Sequence, residues 1–147
     1  MNLVNDQVRI SGEILATEVS DSNTSGSLSL STTYASVDNL TAEFTSDRSG
    51  FVEIEVQLYF DKSSSGSVES IFLRLLDASD NTISGTEREV GNFHSSDGSQ
   101  IVRFSWFLEV TSGTSYEYKL QAKQNGGTFT VRWGGTYPAV VMKVIGL

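Results

Sequence analysis

The 147-residue sequence contains no cysteine, a single proline and a single histidine. The absence of cysteine excludes disulfide frameworks, thiolate zinc sites and cysteine nucleophiles together. Because no covalent cross-link or thiolate metal site is available, the fold must be stabilised by packing or by assembly with other subunits.

Basic residues are also few. The chain has 10 Lys and Arg against 18 Asp and Glu, which gives a formal net charge of −8. The basic residues are scattered, so neither nucleic acid nor an anionic membrane is expected as a partner. No apolar run approaches the roughly 18 residues that cross a bilayer, and the N-terminus lacks the layout of a secretory signal. We therefore expect a soluble chain that is made in the cytoplasm without an export signal.

What the sequence does contain is alternation between apolar and polar residues, separated by turns rich in Gly, Ser and Thr. The clearest example is the segment 51–60, FVEIEVQLYF, where every second residue from Val52 to Phe60 is apolar. A period of two is that of a strand with one buried face. Residues 8–16 and 40–45 show the same pattern, and residues 20–27 are predicted to be a loop or the hinge of an arm.

The C-terminal half continues in the same way. Segment 67–85 has apolar residues that also fit a helical stripe, but the Asp80-Asn81 turn signal and the lack of helix caps favour a hairpin. Residues 86–91 are predicted to form a further strand. A hairpin is predicted over 101–121 with its turn at 111–115, and Asn125-Gly126 is predicted to form the next turn with positive φ. Two more strands, 128–133 and 139–147, complete the chain.

Eight to ten short strands in one domain predict an all-β fold, an antiparallel jelly-roll sandwich of two sheets. We divide the chain into an N-terminal strand or arm, residues 1–26, and a jelly-roll domain, residues 27–147. The arm is expected to serve anchoring or exchange between subunits.

Three stretches in this order carry a resemblance: GFVEIEVQLYF, IVRFSWFLEVTSGTSYEYKLQ and YPAVVMKVIGL. They resemble the jelly roll of tumour necrosis factor (TNF) and of complement-type globular heads. The Ser-, Thr- and Gly-rich, cysteine-free character is similar to versions of this domain in virions of tailed bacteriophages. The resemblance implies a homotrimeric subunit that decorates a capsid or belongs to a tail or fibre.

Several apolar residues fall on faces that should be polar in a lone subunit. Phe107 lies on the same strand face as Ser105 and Glu109, and both faces of the closing strand are apolar. We predict that these residues form a subunit interface, which contains Phe107, Tyr59, Phe51, Val141, Ile145 and Leu147. A centrally buried closing strand would show the same pattern, and we favour self-association because several outer positions share it.

Candidates for chemistry are weak by comparison. Glu53 and Glu55 have a spacing that could suit glycosidase carboxylates, but an exposed acidic face explains them more simply. His94 would have to complete any Ser-His-Asp arrangement, with Asp97 or a distant carboxylate, and no nucleophile elbow surrounds any serine. The sequence DASDNT at 77–82 lacks the Gly and final Glu of a calcium loop, so a hairpin turn is the simpler interpretation, with calcium binding left open.

We therefore expect a non-enzymatic virion structural protein without catalytic residues, cofactor or metal, whose partners are copies of itself and capsid or tail proteins. The alternative is a glycan-binding module at a fibre tip that recognises a host glycan. Exposed aromatic rings would stack on sugars in that case, and the candidates are Trp133, Tyr137 and Tyr34. A hydrolase on the same fold is a third class, supported only by the pair of glutamates.

Overall fold

The computed structural model describes residues 13–19, 26–62, 69–93 and 98–147. Within these ranges the chain forms ten β-strands and no helix. Their bounds are β1 Ile14–Val19, β2 Gly26–Ser29, β3 Ala35–Thr45, β4 Gly50–Lys62, β5 Glu69–Leu76, β6 Arg88–Phe93, β7 Gly98–Val110, β8 Ser115–Gln124, β9 Phe129–Trp133 and β10 Val141–Gly146. None of the described residues forms a helix that could cross a membrane.

The strands form two antiparallel sheets, as predicted. We call sheet A the one that contains β1, β10, β4, β9, β2 and β7, and sheet B the one with the order β3-β8-β5-β6. Strand β7 pairs with β4 along its whole length, from Gly50↔Val110 to Lys62↔Gly98. On the opposite edge of β4, β10 pairs with residues 52–57 and β9 with residues 59–62. Strand β4 is therefore the central strand of sheet A, because it is paired on both edges.

The core lies between the sheets and is built from the alternating positions that the sequence indicates. In β4 the buried residues are Val52, Ile54, Val56, Leu58 and Phe60. Leu73, Leu75, Leu120 and Ala122 of sheet B are equally buried. Each sheet thus turns one apolar face inward, and the free energy of burying that face drives the packing of the two sheets.

The structure confirms the prediction that the segment starting at Glu69 forms a strand and not a helix. Glu69–Leu76 pairs with β8 on one side and with β6 on the other. The turn after it is closed by Asp77, whose Oδ1 accepts hydrogen bonds from the backbone amides of Ser79 and Asn81. Asp80 has φ of 63°, a conformation that Asp tolerates better than most residues.

The structure differs from the sequence prediction at four places, and the first two are the starts of β2 and β6. Gly26 and Ser27, placed in a loop, begin β2 because they pair with β9, where the Trp133 ring occupies the space that a side chain on Gly26 would need. Strand β6 begins at Arg88 and not at residue 86, because the Thr86 hydroxyl donates to the Ile83 carbonyl and holds Thr86 in the turn.

The turn at 124–127 also differs, because the positive φ falls on Gly127 and not on Asn125-Gly126. The Asn125 side chain accepts a hydrogen bond from the backbone amide of Ser70, which holds Asn125 against sheet B.

The first strand differs most. It runs from Ile14 to Val19, and the predicted residues 8–12 lie outside the described residues. Its register against β10 shifts between Ile14 and Ala16, which pair with Ile145 and Val144. This β-bulge puts Ile14 on the outer face of sheet A, whereas simple alternation placed it inward with Ala16. Residues 14–19 of the predicted arm are thus a strand of the sandwich.

Candidate functional site: the outer face of sheet A

The outer face of sheet A carries the residues that were predicted to form a subunit interface. Cross-strand pairs share a face, so the register identifies its members. Ile14 pairs with Ile145, Ile145 with Glu53, and Glu53 with Phe107. This single row crosses four strands and has apolar side chains at three of its four positions.

The neighbouring row lies at the end of the sheet. Phe51 pairs with Glu109, and the backbone amide of Leu147 donates a hydrogen bond to the Phe51 carbonyl. The exposed fractions are 61% for Phe107, 57% for Ile14, 55% for Phe51 and 48% for Leu147. We call the group Ile14, Phe51, Phe107, Ile145 and Leu147 the apolar end of sheet A.

Farther along the same face the surface becomes polar and then aromatic. Lys143, Glu55 and Ser105 form one row, and Val141, Gln57 and Arg103 form the next, with the Arg103 Nε donating to Gln57 Oε1 over 2.9 Å. The following row contains Arg132, Tyr59 and Ile101, of which Ile101 is exposed.

The six predicted interface residues therefore share one face but not one patch. Phe107, Phe51, Ile145 and Leu147 belong to the apolar end, whereas Val141 and Tyr59 lie farther along β10 and β4. Ile14 and Ile101 were not predicted. The alternation in β7 already places Ile101 outward, and only the bulge in β1 reveals Ile14.

The far end of this face contains a polar network centred on Asp61. Its carboxylate accepts hydrogen bonds from the hydroxyls of Tyr59 and Ser99 and from Arg132 Nε. Burial acts to raise the pKa of Asp61, but these hydrogen bonds, together with the charge of Arg132, outweigh it and hold the pKa below its usual value. Beside the network the Tyr59 and Tyr137 rings lie 5.2 Å apart, with the Arg132 guanidinium over Tyr137.

The three aromatic residues proposed for glycan stacking occupy different environments. Trp133 belongs to the core with 8% of its surface exposed, so the prediction of an exposed ring is wrong for this residue. The alternation of β9 buries it together with Phe129 and Val131. Tyr137 is half-buried on the outer face of sheet A, at the turn between β9 and β10, and keeps its place as a candidate.

Tyr34 lies on sheet B and is covered by two cations. The Arg74 guanidinium carbon is 4.1 Å from its ring centroid, and Lys123 Nζ is 4.7 Å away. Burial, followed by the charge of Glu87, raises the pKa of Tyr34 to about 12. Two cations lie over the Tyr34 ring and its hydroxyl is buried, so we correct the prediction that this ring is open to a sugar. Tyr137 differs because one guanidinium lies over it, at 5.5 Å from the ring centroid.

The remaining candidates show no catalytic arrangement in the described part of the chain. Glu53 accepts a hydrogen bond from the Ser105 hydroxyl over 3.0 Å and adjoins Phe107, whereas Glu55 lies between Ser105 and Lys143. Asp80 pairs with Lys119 at 2.8 Å, and no three acidic or histidine side chains of the described residues are close enough to hold a metal ion. His94 and Asp97 lie outside the described residues.

No protein-family model matches the sequence, and no curated protein matches it significantly. Solved structures do match the fold. The structure of Eiger TNF from S. frugiperda is 14% identical with a TM-score of 0.52, and the alignment covers 91% of this chain and 92% of that one.

Weaker similarities exist to two other structures. The infectious bursal disease virus Gx strain structure is 15% identical with a TM-score of 0.44, and the alignment covers 92% of this chain but 37% of that one. A carbohydrate-binding module, CBM6cm-2 from Cellvibrio mixtus lichenase 5A in complex with cellotriose, is 10% identical with a TM-score of 0.38 and coverages of 92% and 99%. The similarity to Eiger TNF and the two antiparallel sheets together show that the chain has a TNF-like jelly-roll fold.

Proposed function

We propose that the chain is a non-enzymatic structural subunit that associates with copies of itself through the outer face of sheet A, as a homotrimer. One observation carries the proposal: every large, exposed apolar side chain among the described residues lies on sheet A or directly after its strand β10, and none lies on sheet B. These residues are Ile14, Phe51, Ile101, Phe107 and Leu147.

The energetics favour a covered face. Burying a Phe side chain contributes roughly 1.5 to 3 kcal/mol, and scattered single apolar residues are normal on monomers whereas contiguous ones mark interaction sites. Four strands supply the apolar end of sheet A, so this patch is continuous across the sheet. Three subunits that each cover this patch with a neighbour would bury it without leaving an open surface for further growth.

The setting we propose for such a trimer is the virion of a tailed bacteriophage, where it would decorate the capsid or belong to a tail or fibre. The support is the resemblance of the sequence to virion domains, together with the absence of cysteine. The acidic composition would keep many copies soluble before assembly. Residues 1–26 would contact the rest of the particle, and binding that favours the assembled state would stabilise the particle by mass action.

The first experiment is light scattering of the purified chain across micromolar concentrations. We expect a mass three times the 16.0 kDa of one subunit. A 16.0 kDa species at every concentration, with no threefold contact in an assembled particle, would overturn the proposal.

Mass spectrometry of purified virions from the source lysate tests the setting, and we expect the chain in fixed stoichiometry with capsid or tail proteins. Its absence from every virion would remove the virion role.

A second candidate, a glycan-binding module, is favoured by one observation. The Tyr59 and Tyr137 rings adjoin the Asp61 and Arg132 side chains, so a sugar could stack on an aromatic ring while its hydroxyls reach charged groups. A glycan array separates the candidates: binding that Tyr137→Ala abolishes supports the module, and no binding removes it.

A hydrolase would require Glu53, so polysaccharide cleavage that Glu53→Gln abolishes would contradict a non-enzymatic chain.

A further inference from the structure

The chain contains seven asparagines, and Asn125 is the one that precedes a glycine. Asn125 and Gly126 lie in the turn between β8 and β9, and Asn125 is exposed to solvent. In such a pair the backbone nitrogen of the glycine can attack the side-chain amide carbon of the asparagine, because the glycine has no side chain that shields the nitrogen. The turn therefore contains a reactive pair, and the groups around it decide whether the pair reacts.

Asn125 is held by the backbone of Ser70 in strand β5. The Ser70 amide donates a hydrogen bond to Asn125 Oδ1 over 2.8 Å, and the Asn125 amide donates to the Ser70 carbonyl over 3.2 Å. These two bonds fix the backbone of Asn125 and the oxygen of its side-chain amide together. Negative charge develops on that oxygen when the amide carbon is attacked and becomes tetrahedral, so a donor placed there favours the attack.

The attacking and the leaving nitrogen are both unhindered. Neither the Gly126 amide nor Asn125 Nδ2 donates a hydrogen bond to any residue that the structure describes. A methyl group on Gly126 would meet no atom within 4 Å, so the turn is open at this residue. The Gly126 nitrogen can therefore lose its proton to hydroxide, and ammonia can leave the amide carbon of Asn125 without breaking a contact.

The remainder of the turn is anchored. Gly127 has φ of 84°, and its carbonyl accepts a hydrogen bond from Gln124 Nε2 over 2.9 Å. Gln124 Oε1 accepts a further bond from the Phe129 amide over 3.0 Å. The turn is thus held on both sides of Gly126. Attack on Asn125 requires rotation of the peptide unit between Asn125 and Gly126 and leaves the bonds of Gln124 in place.

Asn81 provides an internal comparison. It is also exposed and also lies in a turn, but Thr82 follows it. The β-branched side chain of Thr82 shields its own backbone nitrogen, and Thr82 pairs with Leu76 in an isolated β-bridge. Exposure in a turn is therefore common to Asn81 and Asn125, whereas an unshielded nitrogen in the next residue is found at Asn125.

We propose that Asn125 is a site of spontaneous deamidation in the folded chain. The Gly126 nitrogen, after losing its proton to hydroxide, forms a bond to Asn125 Cγ. The bond between Cγ and Nδ2 then breaks, and ammonia leaves once Nδ2 has taken up a proton from water. Water opens the resulting succinimide ring at either carbonyl, which gives aspartate or isoaspartate at position 125. The reaction consumes only water, so this inference is independent of the self-association proposed above.

The modification changes the charge and the backbone of the turn. It adds one negative charge to the formal −8 of the chain. Aspartate keeps the original backbone, whereas isoaspartate lengthens the backbone by one methylene group before Gly126. The Glu69 carboxylate fills the space beside Gly127, so a longer turn has to move against it. We therefore expect the isoaspartate form to be less stable than the aspartate form.

Incubation of the purified protein in mildly alkaline buffer, followed by proteolysis at acidic pH and mass spectrometry, measures the reaction. We expect the mass increase of an amide converted to an acid at Asn125 and not at Asn81, with isoaspartate identified by electron-transfer fragmentation. In ¹⁸O-labelled water one labelled oxygen should enter at position 125, because hydrolysis of the ring requires it. The rate should fall in mildly acidic buffer, because the Gly126 nitrogen has to lose its proton.

Gly126→Ala is the matched variant. The φ of Gly126 is not positive and the added methyl group meets no atom within 4 Å, so the fold should be kept. The methyl group shields the attacking nitrogen and should slow conversion of Asn125 by at least about tenfold, equal to about 1.4 kcal/mol of barrier. Asn125→Asp carries the new charge on the original backbone. It should unfold at higher urea than the isoaspartate form, which anion exchange separates.

The peptide acetyl-Lys-Gln-Asn-Gly-Gly-Thr-amide supplies the reference for an unfolded turn. No conversion of Asn125 in the folded protein by the time the peptide has converted would show that the hydrogen bonds to Ser70 protect the amide, and the proposal would be wrong. Conversion of Asn125 and Asn81 at the same rate, or a rate that Gly126→Ala leaves unchanged, would also overturn it.

Discussion

The two sheets differ in whether the aromatic rings on their outer faces are covered. On sheet B the Tyr34 and Phe72 rings are covered by cations of the same chain, with Lys123 Nζ 5.3 Å from the Phe72 centroid. On sheet A, Phe51 and Phe107 stay more than half exposed, and their cross-strand neighbours are Glu109 and Glu53. Long basic side chains can cover an aromatic ring, whereas a short carboxylate next to it cannot.

This difference teaches that the rings on the outer face of sheet B are covered within one subunit, whereas Phe51 and Phe107 on sheet A are not. Apolar residues from β1, β4, β7 and the end of β10 meet at one end of sheet A. A surface that is apolar across four strands is suited to contact with another protein surface.

The largest effect is expected from a substitution on the inward face of β4. Phe60→Ala should cost about 3 to 5 kcal/mol of unfolding free energy, because Phe60 is fully buried and its removal leaves a cavity. Phe51→Ala, outward on the same strand, should cost less than about 0.5 kcal/mol where the subunit is dissociated. Urea denaturation of dilute protein measures both, and equal costs would contradict the assignment of faces.

The ion pair that links the two sheets comes next. Lys62 of β4 contacts Glu69 of β5 at 3.2 Å, and the Lys62 side chain is fully buried. Lys62→Met should destabilise the subunit by about 3 to 5 kcal/mol, because Glu69 keeps a buried charge without its counter-ion. The double variant with Glu69→Leu should recover most of that loss. Thermal denaturation of the wild type, the single variant and the double variant measures these losses. A double variant as unstable as the single one would show that the pair itself is required.

A smaller effect is expected where sheet B covers its rings. Arg74→Ala should cost about 0.5 to 1 kcal/mol, because it removes the cation over Tyr34 together with the hydrogen bond to Gln121. Arg103→Ala on sheet A is the matched control, since Arg103 is exposed and bonds only Gln57 among the described residues. If chemical denaturation finds the two losses equal, the covering of Tyr34 contributes nothing to stability.

The smallest effect is a pH dependence at the far end of sheet A. Because hydrogen bonds hold the pKa of Asp61 below its usual value, its contribution is present above about pH 4 and is lost as the pH falls through the folded-state pKa. The difference in stability between the wild type and Asp61→Asn should therefore shrink below about pH 4. Denaturation of both proteins at pH 6 and pH 3 measures this difference. A difference that grows as the pH falls would contradict the predicted direction.

The sequence is informative where a period of two persists. The inward and outward residues of β4, β7 and β8 follow from it directly, and so does the exposed position of Phe107. The bulge in β1 depends on pairing with β10, which local patterns do not contain, so Ile14 was assigned to the wrong face. The strand Gly26–Ser29 was missed because Ser and Gly favour turns, and only its pairing with β9 makes it a strand.

The candidate site could be predicted only in part, because local sequence patterns do not contain long-range contacts. Burial of Trp133 and the covering of Tyr34 are contacts between residues far apart in sequence, and composition carries no record of them. The cavity lined by Ile83, Leu108 and Tyr116 is harder still to predict, because these residues come together only after the two sheets pack. A strand pattern predicts which way Tyr116 points but not what lies opposite.

The measurement that tests the central claim most directly is sedimentation, together with circular dichroism, on Phe107→Ser and Phe104→Ser. Phe107 is 61% exposed, whereas Phe104, three residues earlier in β7, packs against the core with its ring 4.9 Å from that of Trp106. We expect Phe107→Ser to keep a normal β-sheet spectrum while the oligomer dissociates, and Phe104→Ser to unfold the subunit. If Phe107→Ser unfolds the chain as readily, or changes neither fold nor assembly, the outer face of sheet A is not an interface between subunits.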